Sequence, residues 1–185
     1  MGFSIAEKLA DMGNRVILVS GPSYLNVSHS NIKCLKVISA QEMYEACIQN
    51  FKNVDAAILA AAVADYTPET KSREKIKKSK KNLVLKLKPT KDIAYELGKI
   101  KKKDQLLVGF ALETDNEFEN ARAKLKKKNM DFIVVNSLKD KGAGFLYDTN
   151  KISIIDRKDN IKRYELKRKN EVAGDIIDFL FKHLR

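Results

Sequence analysis

The sequence predicts an α/β fold, a Rossmann-like, mostly parallel sheet flanked by helices, with a C-terminal antiparallel hairpin and helix. Three observations predict it. Amphipathic helical segments alternate with short runs of β-branched and aliphatic residues along most of the chain. Near the C-terminus, Asp159 and Asn160 separate two further runs, a pattern typical of a hairpin. The 185 residues contain no internal repeat or low-complexity linker, so we expect residues 1–185 to form a single domain.

The elements follow from periodicity and from punctuating residues. Helices are expected over residues 2–12, 39–51, 92–101, 116–128 and 170–183, strands over residues 15–20, 33–38, 55–64, 83–88, 106–112 and 131–135, and the hairpin over residues 151–167. Gly13 is placed to end the first helix. Ser39 and Glu42 form a capping box at the start of the second. The polar, lysine-rich segment 66–82 is expected to be a loop.

The composition argues against several classes of protein. The net charge is +12, but only seven of the 36 basic residues are arginine, and there is no tryptophan. Nucleic-acid readers favour arginine and aromatic platforms, so we expect a solvated lysine surface of which a minority serves a phosphorylated small molecule. No apolar run reaches 18 residues, and Cys34 and Cys47 have no metal or redox spacing. We therefore expect a cytoplasmic protein that binds neither nucleic acid nor membrane.

The most informative segment is the apolar run 55–64, which stops at Asp65 and Tyr66 before a lysine-rich loop. A buried strand that ends in an aspartate presents polar groups at the carboxyl edge of an α/β sheet, where anionic ligands bind. Lys75, in the loop that follows, is able to neutralise a triphosphate and the charge that develops during its attack. The alternative interpretation of the loop is a solvated run of charges.

Three other places are candidates for the same site, and each has a structural alternative. Asp92 begins a helix whose N-terminal amides could bind phosphate, or it is a plain N-cap. Gly109 interrupts a strand, which often marks close approach of a ligand, and Phe110 beside it packs on a base or fills the core. Lys124 and Lys128 share one helix face, which is either a binding face or a solvated one.

Taken together, these motifs resemble phosphopantothenoylcysteine synthetase, the ligase of coenzyme A biosynthesis. The strings that carry the resemblance follow one another over nearly the whole chain: MGFSIAEKLADMGNRVILVSGP, AAVADYTPE, EKIKK, GFALET, AKLKKKNMDFIVVN and KGAGF. The resemblance implies that CTP and Mg²⁺ activate 4′-phosphopantothenate as an acyl-cytidylate, which L-cysteine converts to the amide. It implies a homodimer, no flavin in this domain, and in many bacteria a fused or associated phosphopantothenoylcysteine decarboxylase that uses flavin.

The resemblance also implies roles for individual residues. Lys75 matches the catalytic lysine that contacts the triphosphate and the transition state. Asp65 matches the nucleotide-binding aspartate on the ribose or cytosine side. The other implied nucleotide contacts are Asp92, Ile93, Ala94, Tyr95, Phe110, Lys124 and Lys128. The resemblance does not identify the Mg²⁺ ligands.

The departure from the family lies at the front of the chain, where a strand and a glycine-rich loop precede the first helix in other members. We therefore expect a domain that lacks its first strand, that glycine-rich loop and part of the phosphopantothenate site, and that has little synthetase activity by itself. A variant fold that begins with a helix is the alternative. The alternative function is a non-catalytic Rossmann-type nucleotide-binding module or a dehydrogenase fragment, which would carry G-x-G-x-x-G after its first strand.

Overall fold

The structure, a computed structural model, describes residues 1–70, 72, 74–78, 82–113, 116–137 and 147–184, with only the backbone of residues 113 and 137. Within these ranges the helices are α1 (Gly2–Asp11), α2 (Ala40–Phe51), α3 (Ile93–Ile100), α4 (Glu117–Lys127) and α5 (Lys169–Phe181). The strands are β1 (Val16–Ser20), β2 (Ile32–Lys36), β3 (Ala56–Leu59), β4 (Tyr66–Pro68), β5 (Leu87–Pro89), β6 (Leu106–Glu113), β7 (Phe132–Ser137), β8 (Thr149–Asn150), β9 (Ile152–Asp156), β10 (Ile161–Arg163) and β11 (Lys167–Arg168).

The main sheet has the order β10-β9-β7-β6-β3. Strands β3, β6 and β7 run parallel, whereas β9 pairs antiparallel with β7 and forms the hairpin with β10. Strands β1 and β2 form a separate parallel pair, β4 and β5 a separate antiparallel ribbon, and β8 pairs with β11. The predicted fold class is therefore confirmed.

The core lies on both faces of the main sheet. Phe132 and Val134 of β7 pack with α1 and α5, whereas the alternate residues Ile133 and Val135 pack with α2, α3 and α4. All four are at most 2% exposed. Strand β7 thus reads as a continuous apolar run because helices cover both faces of a parallel sheet.

The predicted caps are found where the sequence placed them, with one change. Ser39 accepts a hydrogen bond from the amide of Glu42 at 3.2 Å, but the Glu42 carboxylate accepts from the amide of Ile38 instead of that of Ser39. Gly13 follows α1 with φ of +84°, a conformation in the left-handed region that glycine adopts without strain. Asp92 is the N-cap of α3.

Two predicted strands are wrong in extent. The predicted buried strand 55–64 is a strand only over Ala56–Leu59, and those four residues are half-buried because β3 has a strand neighbour on one side alone. Residues 60–64 leave the sheet as a largely exposed loop. The predicted strand 83–88 is a strand only over Leu87–Pro89, which pairs with β4, and the expected loop 66–82 contains β4.

Candidate functional site

A cavity of about 1150 Å³ separates the β1–β2 pair from β3. Its walls are β1 and β3 at the sides, α1 and the end of α5 on one face, and α2 and α3 on the other. We call the space between the facing edges of β1 and β3 the slot. At the carboxyl end of β3 the walls become charged. We call this region the polar end, and it comprises Asp65, Thr90, Asp92, Lys124 and Lys128.

Thr90 connects the loop after β3 to the start of α3 through two hydrogen bonds. Its amide donates to the carbonyl of Asp65 at 2.8 Å, and its hydroxyl donates to the carbonyl of Ala64 at 2.7 Å. Two strand-end segments that are 25 residues apart in the chain therefore meet at one point. Thr90 was not among the predicted site residues, although its place between Pro89 and the N-cap Asp92 is a signal that could have found it.

Asp92 joins the start of α3 to the end of α4. Its carboxylate accepts from the amide of Tyr95 at 3.1 Å, which confirms the N-cap interpretation, and it lies 3.0 Å from Nζ of Lys128. Ile93 and Ala94 of the first turn line the cavity. Since the first amides of a helix have no partner within the helix, this turn also offers donors to an anion.

The two lysines predicted to share a helix face differ from their neighbours in the way that a binding face requires. Lys124 and Lys128 are half-buried and line the cavity, whereas Lys126 and Lys127 are exposed and do not. The exposed pair fits the solvated interpretation, whereas a binding role for Lys124 and Lys128 stays a prediction. The spacing of four residues did predict which lysines share the face that borders the cavity.

Phe110 fills part of the core, one of the two roles that the sequence left open, and its contact with a base stays a prediction. It is half-buried, packs against the core that contains Val134 and Ile177, and lines the cavity. Gly109 lines the cavity, and the structure shows a further reason for a glycine there. A Cβ at that position would lie 2.5 Å from Sδ of Met130, so the glycine makes room for a core side chain.

Two predicted residues are not brought to the cavity. Lys75 is exposed, on the segment between β4 and β5, and does not line the cavity. Tyr95 is 38% exposed, with Nζ of Lys99 4.3 Å from the centre of its ring, and also lies outside the lining. The string KGAGF, residues 141–145, lies outside the described residues.

One cation at the cavity was missed by the sequence analysis. Lys91 lines the cavity, and its Nζ lies 4.4 Å from the centre of the Tyr44 ring. An aromatic face attracts a cation, so Tyr44 of α2 restrains this side chain beside the N-terminus of α3. No local sequence pattern pairs residues that are 47 positions apart.

Two further observations limit the chemistry of the site. Among the described residues, no group of three or more His, Cys, Asp or Glu side chains is placed to hold a metal ion. Cys47 lines the cavity, but burial raises the pKa of its thiol, which disfavours the reactive thiolate.

In the part of the chain that the structure covers, no helix is long and apolar enough to cross a membrane.

Comparison with known proteins agrees with this geometry. Residues 1–184 match the family described as DNA/pantothenate metabolism flavoprotein C-terminal domain. A protein of an unknown prokaryotic organism named cysteine/cysteine sulfinic acid decarboxylase is 58% identical over 177 residues, which are 96% of this chain and 49% of that protein. The coenzyme A biosynthesis bifunctional protein CoaBC of Bacillus subtilis (strain 168) is 42% identical over 177 residues, 96% of this chain and 43% of that protein.

A solved structure covers the same region. The crystal structure of the C-terminal domain of the bifunctional protein CoaBC superposes with a TM-score of 0.80 at 40% identity, covering 98% of this chain and 82% of that chain. The chain thus spans about half the length of the curated relatives it matches and is homologous to the C-terminal domain of CoaBC. It belongs to the DNA/pantothenate metabolism flavoprotein C-terminal domain family.

Proposed function

We propose that this chain is the nucleotide-binding part of a phosphopantothenoylcysteine synthetase domain, which ligates 4′-phosphopantothenate with L-cysteine at the expense of CTP and needs the strand proposed below for full activity. The observation that carries the proposal is the polar end of the cavity. There the loop after β3, the N-terminus of α3 and one lysine face of α4 converge in a chain homologous to the C-terminal half of CoaBC. This is the place where an open α/β sheet binds nucleotides.

The proposed reaction needs anion binding first. The amides of the first turn of α3 and the cations Lys91, Lys124 and Lys128 would hold the phosphates of CTP, and Asp65 and Phe110 would contact its ribose and base. A carboxylate oxygen of 4′-phosphopantothenate attacks the α-phosphorus, and pyrophosphate leaves. The amine of cysteine then attacks the acyl carbon, loses a proton and expels CMP.

We propose Lys75 as the catalytic cation, although it lies outside the cavity. Lys75 lies on the segment that joins β4 to β5, and the ribbon of these two strands is anchored at both ends to the polar end, through Asp65 and Thr90. Bending of that ribbon over bound CTP would bring Lys75 to the phosphates. Lys75→Ala should lower kcat for CMP release by about 100-fold, because its contact strengthens as charge develops on the phosphates. Lys88→Ala on the same ribbon is the control, and a wild-type kcat in Lys75→Ala would reject the role.

Magnesium fits this site as a companion of the nucleotide. Mg²⁺ commonly takes one or two carboxylates together with substrate phosphates and water, which needs no protein cage. Asp65 and Asp92 are the carboxylates at the polar end. When bound, Mg²⁺ would neutralise charge on the triphosphate. We propose that this chain uses no flavin, and that the flavoprotein in the family description refers to longer members.

The decarboxylase named among the relatives suggests a second activity, which we assign elsewhere. That protein is about twice as long as the region it shares with this chain, and CoaBC shares a similar fraction. We propose that decarboxylation belongs to the other half of such proteins, fused to or associated with a domain like this one. A nucleotide-binding module or dehydrogenase fragment remains the competing function, and the choice of nucleotide distinguishes it.

We propose that the chain forms a homodimer through the ribbon and the segment that leads into β5. The apolar residues of that segment are unusually exposed for a globular protein, with Leu83 at 64%, Val84 at 84% and Leu85 at 59%. The β9–β10 hairpin is less suited to an interface, because Ile152 and Ile154 of β9 are buried in the core of the main sheet. Val84→Asp should give a monomer in light scattering, while the control Leu166→Asp, at an exposed aliphatic residue outside this segment, should stay dimeric. A dimeric Val84→Asp variant would reject this surface as the dimer interface.

We propose that the protein is located in the cytoplasm, and its two free cysteines fit that location.

We further propose that the slot takes one more strand of the domain. In parallel pairing, alternate residues bond to the same neighbour. The amide of Val16 and the carbonyl of Ser20 both form hydrogen bonds on the side of β1 that faces β2. The backbone amides and carbonyls of the alternate residues Ile17 and Val19 therefore point to the other side, into the slot.

Strand β3 presents a matching edge. The carbonyl of Asp55 accepts a hydrogen bond from the amide of Leu106, on the side of β3 that faces β6. The backbone amides and carbonyls of the alternate residues Ala56 and Ile58 therefore point into the slot. Helices cover both faces of the slot, and an occupant would be buried on both sides. Such strands are continuous apolar runs, so we expect a parallel strand rich in Val, Ile and Ala.

Hydrogen exchange tests the slot. A peptide with a five-residue run of Val, Ile and Ala between lysines should slow exchange of the amides of Ile17, Val19, Ala56 and Ile58. The amide of Leu18, already paired with β2, is the internal control. A peptide of the same composition in which lysines alternate with the apolar residues should have no effect. Equal protection by both peptides, or by neither, would reject a slot for an apolar strand.

Nucleotide selectivity tests the proposed function. Saturating CTP with Mg²⁺ should raise Tm by about 5 °C, and ATP, NAD and NADP should raise it much less. Pyrophosphate should then form once 4′-phosphopantothenate is added, and CMP should form only when cysteine is added as well. Selective stabilisation by NAD or NADP would contradict the proposal and favour a dehydrogenase-like module.

A further inference from the structure

The turn between α4 and β7, residues 128–131, lies against the side of α3. A Cβ on Gly98 would lie 2.0 Å from the carbonyl oxygen of Lys128, so the backbones of α3 and the turn are in direct contact. Asn129 adopts φ of +51° and donates from its side chain to the carbonyl of Gly98 at 2.7 Å. The turn is thus docked on α3, and Lys128 at its first position reaches the N-cap Asp92.

Arg157, just after β9, also contacts this turn. Its Nε donates to the carbonyl of Met130 at 2.8 Å, and one Nη donates to the carbonyl of Asn129 at 2.8 Å and to the side-chain oxygen of Asn129 at 2.6 Å. Its Nε also lies 3.2 Å from the carboxylate of Asp131. One guanidinium therefore contacts three successive residues of the turn.

Asp131 ties the same turn to the main sheet. Its carboxylate accepts from the amide of Leu107 at 2.7 Å and pairs at 2.7 Å with Lys101, whose side chain is 7% exposed. This anchor holds the β7 end of the turn whether or not Arg157 is present. The residues that depend on Arg157 for a further contact are Asn129 and Met130, on the Lys128 side of the turn.

We propose that Arg157 is a positioning residue of the nucleotide site, which acts by holding the turn so that Lys128 stays at the polar end. Arg157 does not itself line the cavity. The inference rests on the proposed function, because it takes Lys128 as a nucleotide contact. Arginine suits the position because its planar fork makes several directed hydrogen bonds, whereas a lysine ammonium on its flexible stem cannot reproduce them together.

The first test compares two arginines that link α4 and its turn to the hairpin. Arg157→Lys keeps the charge and loses the fork, and it should raise the Kd for CTP about five-fold, with kcat unchanged. Arg122→Ala is the matched control, because Arg122 pairs with Asp159 of the same hairpin without contacting the turn. Its Kd for CTP should equal that of the wild type. Equal losses in both variants would overturn the proposal, since they would indicate a general effect of the hairpin.

A double-mutant cycle shows whether Arg157 acts through Lys128. In a Lys128→Ala background, Arg157→Lys should cause no further loss of CTP affinity. A full five-fold loss in that background would overturn the proposal. If Lys128→Ala alone leaves CTP binding unchanged, the nucleotide role of Lys128 fails, which is a failure of the proposed function.

Hydrogen exchange measures the positioning separately from nucleotide binding. Without any nucleotide, Arg157→Lys should speed exchange of the amides of residues 128–130 at least several-fold, and it should leave the amide of Leu107 protected. Unchanged exchange at residues 128–130 would overturn the proposal even if CTP affinity fell. Faster exchange with unchanged CTP affinity would retain the docking of the turn and reject its role at the site.

Discussion

Two of the parallel strand pairs of this domain, β6–β7 and β1–β2, lie in different environments. In β7 the residues from Phe132 to Val135 are at most 2% exposed, whereas Ile17 and Leu18 of β1 are only half-buried. The difference arises because β7 has a strand on each side, and β1 has one neighbour and faces the slot on the other edge. Stability is therefore expected to concentrate in the main sheet, and ligand binding on the less tightly packed cavity side.

The largest expected effect contrasts two isoleucines. Ile154→Ala in β9, at a position that is fully buried, should lower the free energy of unfolding by about 4 kcal/mol. Ile17→Ala in β1 should cost about 1 kcal/mol, because that side chain already borders the cavity. Urea unfolding with a constant m value measures both. Similar costs for the two substitutions would remove the distinction between the regions.

A second contrast uses two helical glycines. Gly98→Ala should destabilise the protein by about 2 kcal/mol, because the added Cβ meets the carbonyl of Lys128 and the turn must move. Gly174→Ala in α5 is the matched control. It has no atom within 4 Å of the added Cβ and should stabilise by up to about 1 kcal/mol. Thermal unfolding measures both, and a stabilising Gly98→Ala would show that α3 and the turn are not closely packed.

The third prediction separates binding from stability on the cavity side. Lys128→Ala should weaken CTP binding about ten-fold, or about 1.4 kcal/mol. It should change the free energy of unfolding by less than about 1 kcal/mol, since its ion pair with Asp92 is partly exposed. Lys126→Ala, on the exposed side of α4, should bind CTP like the wild type. Titration calorimetry gives both affinities, and a similar loss in the two variants would indicate a diffuse charge effect.

The smallest expected effect concerns Asp156 at the hairpin turn. Burial raises the pKa of this carboxyl, but hydrogen bonds from Asn160 and Lys158 outweigh it and hold the pKa below its ordinary value of 3.8. A lowered pKa stabilises the fold above the unfolded value and loses that contribution as the pH falls through the folded value. Asp156→Asn should therefore cost less than about 1 kcal/mol at pH 7, and less still near pH 2. A cost that stays constant between these pH values would contradict this account.

The fold was largely predictable because it depends on local patterns. Residues close together in the chain were enough to predict the helix periodicity, the caps at Ser39 and Asp92, and the hairpin at Asp159 and Asn160. The structure confirms these predictions. The strand over 55–64 was overextended because an apolar composition does not reveal whether a strand has two neighbours. The run of alanines after Leu59 continues the pattern after the sheet has ended.

The site was predictable in part for the same reason. Lys124 and Lys128 share a face by spacing alone, and the structure places both at the cavity. The bonds of Thr90 to the Asp65 loop, the contact of Lys91 with Tyr44, and the packing of Gly98 on the turn at Lys128 join residues that are 25 or more positions apart. Such contacts depend on how the helices dock, which no local pattern specifies. The role of Lys75 stays a prediction.

The central claim is that the polar end of the cavity binds CTP for ligation. Titration calorimetry of the 185-residue chain with CTP and ATP, each with Mg²⁺ and each repeated with Lys128→Ala, tests it most directly. The account predicts binding that is at least ten-fold tighter for CTP than for ATP and about ten-fold weaker in the variant. Equal affinity for the two nucleotides, or CTP binding that is unaffected by the loss of Lys128, would contradict it.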